Sequence, residues 1–256
     1  MDIAVGVIFA VFGLVFGSFL NVVVYRLPNR MSLVSPPSSC PRCGAALRAR
    51  DNVPVVSWLA LRGRCHACGE PISIEYPLVE LATAALFVAA WLRLDVVPAA
   101  IVAPFLGIML AVGLIDARHR IVPNRLVYPA VVLFGAAILV ARAAGGPLSP
   151  VRAALGLLAF GGPLLIVALI APRGMGMGDV KLAALIGLVL GALGCRYVAV
   201  AAVGGALLGG LGGVVALAMG RSRKTTIPFG PYLAAGAVLA ALFAGPIASW
   251  YLGRLA

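Results

Sequence analysis

Only eight acidic side chains occur among 256 residues, and two of them stand where apolar sequence meets polar sequence. Asp116 closes Gly113-Leu-Ile-Asp116 at the end of a long apolar stretch, and Asp179 follows Gly174-Met-Gly-Met-Gly178 and opens another. A carboxylate beside hydrocarbon is costly and marks a candidate functional group. Two that converge repel, so one keeps its proton; the pair can then hold a water between a base and an acid, which is aspartic-protease chemistry. Gly174, Gly176 and Gly178 leave the backbone before Asp179 bare, open to an extended peptide and able to turn abruptly into a helix. The spacing alone leaves a second reading open, in which each Asp is an interfacial helix terminus and Asp179 an N-cap. Glu80 reads as an interfacial snorkelling residue ahead of a third catalytic acid. Lys181 reads as a partner for a carboxylate or a lipid-headgroup contact. Asp2 and Asp95 fall on the outer side, and Asp51, Glu70 and Glu75 in the soluble loop.

The second constellation is Cys40-Pro-Arg-Cys43-Gly and Cys65-His-Ala-Cys68-Gly, two C-x2-C pairs separated by 21 residues. Two such knuckles can wrap one tetrahedral Zn²⁺ with four thiolates, a closed set that leaves no position for catalysis. The Gly after each second Cys permits the tight turn that aims amide N–H groups at sulfur. A loop of this length with few large apolar residues needs such a staple to fold. Two disulfides are the alternative, and they require an oxidising compartment. His66 is a possible substitute ligand but reads better as a solvated loop residue, and Cys195 reads as a small buried hydrophobe.

The elements that must position these groups are membrane helices. The chain is 62% hydrophobic and 11% charged, with mean hydropathy +1.09. That excludes disorder, a fibre, a disulfide mini-protein and a single soluble globule. The fold class is an all-α polytopic membrane protein of about eight spans, each of about 20 apolar residues, with a small zinc-stapled cytoplasmic domain between the first two. The spans fall at 3–25, 77–94, 96–115, 126–141, 151–171, 180–194, 197–219 and 231–252, the sixth being the shortest. The first lacks the basic flank of a signal peptide and is too long for one. With the N-terminus outside, 15 of the 20 Lys and Arg fall on inner loops, Arg173, Arg221, Arg223 and Lys224 among them, and five outside, Arg254 among those. This positive-inside bias puts the cysteine loop in the reducing cytoplasm and both Asp residues at the inner surface. It also accounts for the net charge of +12 without nucleic acid, for which no basic patch interleaved with aromatics is present. The Gly-rich run Gly204–Gly213 reads as close helix packing. The domains expected are 1–25, a first helix; 26–76, the zinc module; and 77–256, the membrane domain.

An ordered set of motifs along nearly the whole chain resembles the type IV prepilin peptidase family of leader peptidase/N-methyltransferases. It runs from Gly17-Ser-Phe-Leu-Asn21 and Tyr25-Arg-Leu-Pro28 through the Cys pairs, Asp51-Asn-Val-Pro54, Ser57-Trp58, Ile72-Ser73 and Tyr76-Pro-Leu-Val-Glu80. Asp116, Val122-Pro-Asn124, the 174–181 block and Pro228-Phe-Gly-Pro231 complete it. Gly176-Met-Gly-Asp179 is also similar to the G-x-G-D of presenilin-type intramembrane proteases. The resemblance implies a bacterial inner-membrane aspartic peptidase with Asp116 and Asp179 catalytic. Its substrates would be prepilins and pseudopilins, cut after the Gly that ends a basic leader at the cytoplasmic face. It also implies methyl transfer from S-adenosylmethionine to the new N-terminus, in the region of the first inner loop. Glu70 and Glu75 depart from the family pattern, which tends to place basic residues there. No G-x-G-x-x-G follows a strand, so the sequence names no cofactor residues. Two rival classes are a carboxylate-relay transporter, whose acids belong near the bilayer midplane, and a non-enzymatic scaffold carrying a zinc module.

Overall fold

In the computed structural model the described residues are 2–172, 175–220 and 228–253. Gly174 and the cations Arg173, Arg221, Arg223, Lys224 and Arg254 lie outside them.

Apolar runs become helices because only a helix satisfies every backbone polar group within one segment in lipid. Among the described residues nine α-helices result: α1 (Ile3–Arg26), α2 (Val56–Ala60), α3 (Glu75–Arg93), α4 (Val96–His119), α5 (Asn124–Ala143), α6 (Pro150–Ile170), α7 (Met177–Leu193), α8 (Cys195–Ala218) and α9 (Gly230–Leu252). Among the described residues no strand forms, only two isolated bridges in the loop before α3. Seven helices, all but α2 and α7, are long and apolar enough to cross a membrane. The sixth expected span is α7, which at 17 residues is about 26 Å long, short of the ~30 Å hydrocarbon core. It is sheathed by other helices instead: eleven of its residues, from Val180 to Ala192, are buried. Pro104, Pro129, Pro163 and Pro246 lie inside helices, as bundle packing in a membrane tolerates.

Close packing along small residues joins the helices in pairs. A Cβ on Gly13 or Gly17 of α1 would come within 2.6 Å of Ala84 Cα or 2.7 Å of Glu80 Cα on α3. Gly156 on α6 faces Gly187 and Gly191 on α7, backbone to backbone. The Gly-rich run of α8 does pack closely, but on one face only. Gly205 meets Gly236 of α9 and Gly209 meets Phe229, whereas Gly210 and Gly213 border open space. Helix α4 threads the middle, with Val102, Phe105, Leu106, Met109, Val112 and Ile115 buried.

The chain alternates direction through α1 and α3–α9. The C-terminal ends of α1 and α4 and the N-terminal ends of α3, α5, α7 and α9 therefore gather at one end of the bundle, with the cysteine loop. Cys195 is exposed rather than buried, because it is the first residue of α8, just past the sharp turn at Gly194 (φ 151°) at the other end.

Replacing Gly187 by Leu should force α6 from α7 and cost about 1–3 kcal/mol, read as a lower Tm in detergent. Gly162→Ala, whose Cβ would meet nothing within 4 Å, should leave Tm unchanged.

Candidate active site and metal centre

Asp116 does not end its helix. Helix α4 runs one turn further to His119, where Arg120 adopts a left-handed conformation (φ 55°) and its N–H bonds the Asp116 carbonyl at 2.8 Å. This keeps Asp116 inside the last turn and 5% exposed. Its partner comes from a distant segment. Gly230 opens α9, where the first N–H groups have no intrahelical acceptor. The Gly230 N–H donates to Asp116 Oδ2 at 3.0 Å. A Cβ on Gly230 would lie 2.6 Å from that oxygen, so only glycine brings the N–H this close. The Pro228-Phe-Gly-Pro231 motif, which carries no chemistry of its own in the sequence, thus supplies the donor.

Asp179 lies in the first turn of α7, but it is not the N-cap. Gly176 occupies that position, and Asp179 stands three residues on with its carboxylate near the Gly176 backbone. A carboxylate there is favoured by the helix dipole. The fold brings Asp179 close enough to Asp116 to feel its charge, although 63 residues separate them in sequence. Gly178 is bare because Val122 packs against it, a Cβ there lying 3.0 Å from the valine side chain. Gly176 is exposed, as peptide approach requires.

Among the described residues Lys181 pairs with no carboxylate. Its Nζ donates to Asn124 Oδ1 at 3.0 Å and stands 5.1 Å from the centre of the Tyr128 ring. It therefore ties α7 to the start of α5 beside the Asp pair.

The four cysteines converge, with all Sγ atoms within 4.8 Å of one another and Cys40 to Cys68 at 3.9 Å. Tetrahedral Zn–S bonds of about 2.3 Å demand S···S separations of about 3.8 Å, so the donor set fits zinc. The knuckles repeat one geometry. The Cys40 N–H bonds the Ala45 carbonyl and the Gly44 N–H the Cys40 carbonyl, both at 2.9 Å; Cys65, Glu70 and Gly69 match them at 2.8 and 3.0 Å. Gly44 (φ 72°) and Gly69 (φ 73°) make the left-handed turns. Backbone N–H groups of Cys43 and Arg42 stabilise the Cys40 thiolate and pull its pKa down to about 7, which suits a metal ligand. Among residues 28–76 only Cys40, Gly63 and Cys65 are buried, so the module has almost no apolar core to hold it together.

His66 is not a free loop residue. Its Nδ1 lies 3.1 Å from Asp51 Oδ2, which Arg48 Nε also reaches at 2.7 Å. The Arg48 hydrogen bond holds the Asp51 carboxyl below the usual range. Both departures from the family pattern are ion-paired. Glu70 meets Arg42 at 2.9 Å across the two knuckles, and Glu75 meets Arg118 at 2.9 Å, joining the start of α3 to α4 just past Asp116. Glu80 does not snorkel. It is 7% exposed and accepts the Val55 N–H at 2.7 Å.

Residues 11–94 match the bacterial peptidase A24 N-terminal domain, and residues 102–245 match the type IV leader peptidase family. The chain is 36% identical over 247 residues to a prepilin leader peptidase/N-methyltransferase of Bacillus subtilis (strain 168), covering 94% of this chain and 96% of that one. A protein of the same description from Pseudomonas putida is 37% identical over 269 residues, 93% and 90% of the two chains. One from Pseudomonas aeruginosa PAO1 is 36% identical over 274 residues, 94% and 91%. No solved structure matches the chain.

Purified full-length protein should carry about one zinc per chain, measured by elemental analysis. Cys40→Ser or Cys65→Ser should lose it, and removal by chelation should speed tryptic cutting within residues 28–76. A metal-free chain equally resistant to trypsin would contradict the staple.

Proposed function

Because the chain belongs to the type IV leader peptidase family, we propose that it cleaves the leader from prepilins and pseudopilins. It then methylates the new N-terminus with S-adenosylmethionine. The observation that carries the peptidase half is that Asp116 and Asp179 lie at one end of the bundle within reach of each other's charge, Asp116 held by the Gly230 N–H.

One carboxylate of the pair takes a proton from the water between them, and the resulting hydroxide attacks the scissile carbonyl carbon. The other, carrying the shared proton, protonates the carbonyl oxygen; a proton then passes to the leaving nitrogen as the C–N bond breaks. Exposed Gly176 gives the substrate backbone room to lie beside Asp179. The zinc is structural: four thiolates close its coordination, and it holds residues 26–76 as a module on the membrane domain 77–256 behind the first helix. When bound, S-adenosylmethionine supplies the methyl group.

The protein is a multi-pass protein of the bacterial inner membrane. In this reading its N-terminus is outside, lipid surrounds the bundle, and the zinc module and Asp pair face the cytoplasm. The excess of Lys and Arg on those loops supports the orientation. A carboxylate-relay transporter is less favoured, because Asp116 lies in the last turn of α4 and Asp179 in the first turn of α7, away from a midplane site.

Asp116→Asn and Asp179→Asn should each lower leader cleavage at least about 100-fold, with helical content by circular dichroism unchanged. Mass detection of the mature N-terminus from purified prepilin reads both the cut and the added methyl. Cleavage retained in both variants would remove the dyad. For orientation, a membrane-impermeant maleimide should label Cys195 in intact spheroplasts and fail to label Cys195→Ser; labelling only after lysis would invert the topology.

A further inference from the structure

A chain that both cuts and methylates needs room for a methyl donor as well as for the scissile peptide. Between the inner half of α1, the start of α3 and the zinc module lies a cavity of about 470 Å³. That is within the ~300–1,000 Å³ usual for sites that enclose a cofactor. Tyr25, Trp58 and Tyr76 supply aromatic walls, and Ser18, Asn21 and Asn52 supply neutral polar groups.

Three of the eight acids, Asp51, Glu70 and Glu80, line it. Two are neutralised: Asp51 by Arg48, Glu70 by Arg42. The buried cation on the same wall, Arg26, is occupied by the Ser32 and Pro36 carbonyls at 2.9 and 2.8 Å. Glu80 has no ion pair among the described residues. Its hydrogen-bond partner is the neutral Val55 N–H, and the neutral Ser18 hydroxyl lines the same cavity. Val55 is itself held at φ 61°, ψ −50°, a strained backbone for a β-branched residue. Such strain persists where the surroundings over-determine it, commonly at functional sites. The cavity therefore offers one uncompensated buried carboxylate to its contents. That selects a cationic ligand, and both reactants of the methyl transfer are cations: a sulfonium and an α-ammonium.

Resting on the methyltransferase half of the proposed function, we infer that this cavity binds the S-adenosyl donor and the new N-terminus, with Glu80 taking the proton from the ammonium. The N–H bond breaks to the Glu80 carboxylate and frees the nitrogen lone pair. That pair forms the N–CH3 bond as the C–S bond breaks, its electrons staying on sulfur, to leave a methylammonium and a neutral thioether. Glu80 then returns its proton to solvent. The bond to Val55 uses Oε2 and leaves acceptor capacity on the other oxygen. Tyr25, half exposed on the cavity wall, is an aromatic contact for the donor.

The test uses full-length, zinc-loaded protein in detergent. Calorimetric titration gives the affinities for S-adenosylmethionine and for S-adenosylhomocysteine, which lacks the sulfonium charge. Transfer is measured separately, on a synthetic peptide that already carries a mature N-terminus. The parent should prefer the charged donor. Glu80→Gln keeps an acceptor for the Val55 N–H but loses the charge; its preference should collapse toward one, and transfer should fall at least about 100-fold. Tyr25→Ala should weaken both ligands about tenfold at unchanged Tm. A parent that methylates while both variants match it in affinity ratio and rate overturns this site alone. A parent that neither binds the donor nor methylates overturns the methyltransferase reading, and this site with it.

Discussion

A carboxylate at the edge of the hydrocarbon must find a donor that is already paid for by the fold, and here helix N-termini provide it. The first N–H groups of a helix have no internal acceptor, and they carry the positive end of its dipole. Asp179 sits at the start of its own helix, and Asp116 takes the N–H at the start of α9. Glycine permits both placements. Gly230 must be bare to let the Asp116 oxygen approach, and Gly178 must be bare to let α7 settle against Val122. The Asp pair is thus a consequence of how tightly three helix ends can be drawn together.

That closeness is set far from the site. Bundles in lipid gain little from hiding apolar surface from water, so helices associate by backbone approach and small residues. Glycine seams between α1 and α3, α6 and α7, and α8 and α9 fix the register of the helix ends. The short α7 fits the same scheme: surrounded on its sides, it need only carry Asp179 to the correct depth. The zinc module follows a different rule. With almost no buried apolar residues it takes its order from four thiols, and it returns to the bundle through the Glu75–Arg118 pair and the buried Glu80–Val55 bond.

Much of the site was legible in the residues. The Cys pairs announce a tetrad because two local knuckles need only one long-range meeting to close. The spans were legible because lipid permits little but a helix, and their bounds agree within a few residues except where α4 runs on to His119. Other positions were not. Glu80 reads as a snorkelling side chain because hydropathy places it near an interface without saying which way it faces; the loop that folds over it buries it. Cys195 reads as buried from its type, yet a helix start at a sharp turn leaves it exposed. Lys181 finds an amide and a ring at the start of α5 rather than a carboxylate, contacts set by which helices lie side by side.

By itself, then, the sequence determined the class of protein, the membrane segments, the four cysteines that cluster and the two acids worth pairing. Each follows from composition or from spacing within a short stretch of chain. Only the tertiary structure decided that Asp179 comes within reach of the Asp116 charge, that Gly230 serves Asp116, and that Glu80 faces a cavity with no ion pair among the described residues. Those facts depend on which helix ends lie side by side. Contacts between residues tens to more than a hundred positions apart leave no period in the sequence from which to read them.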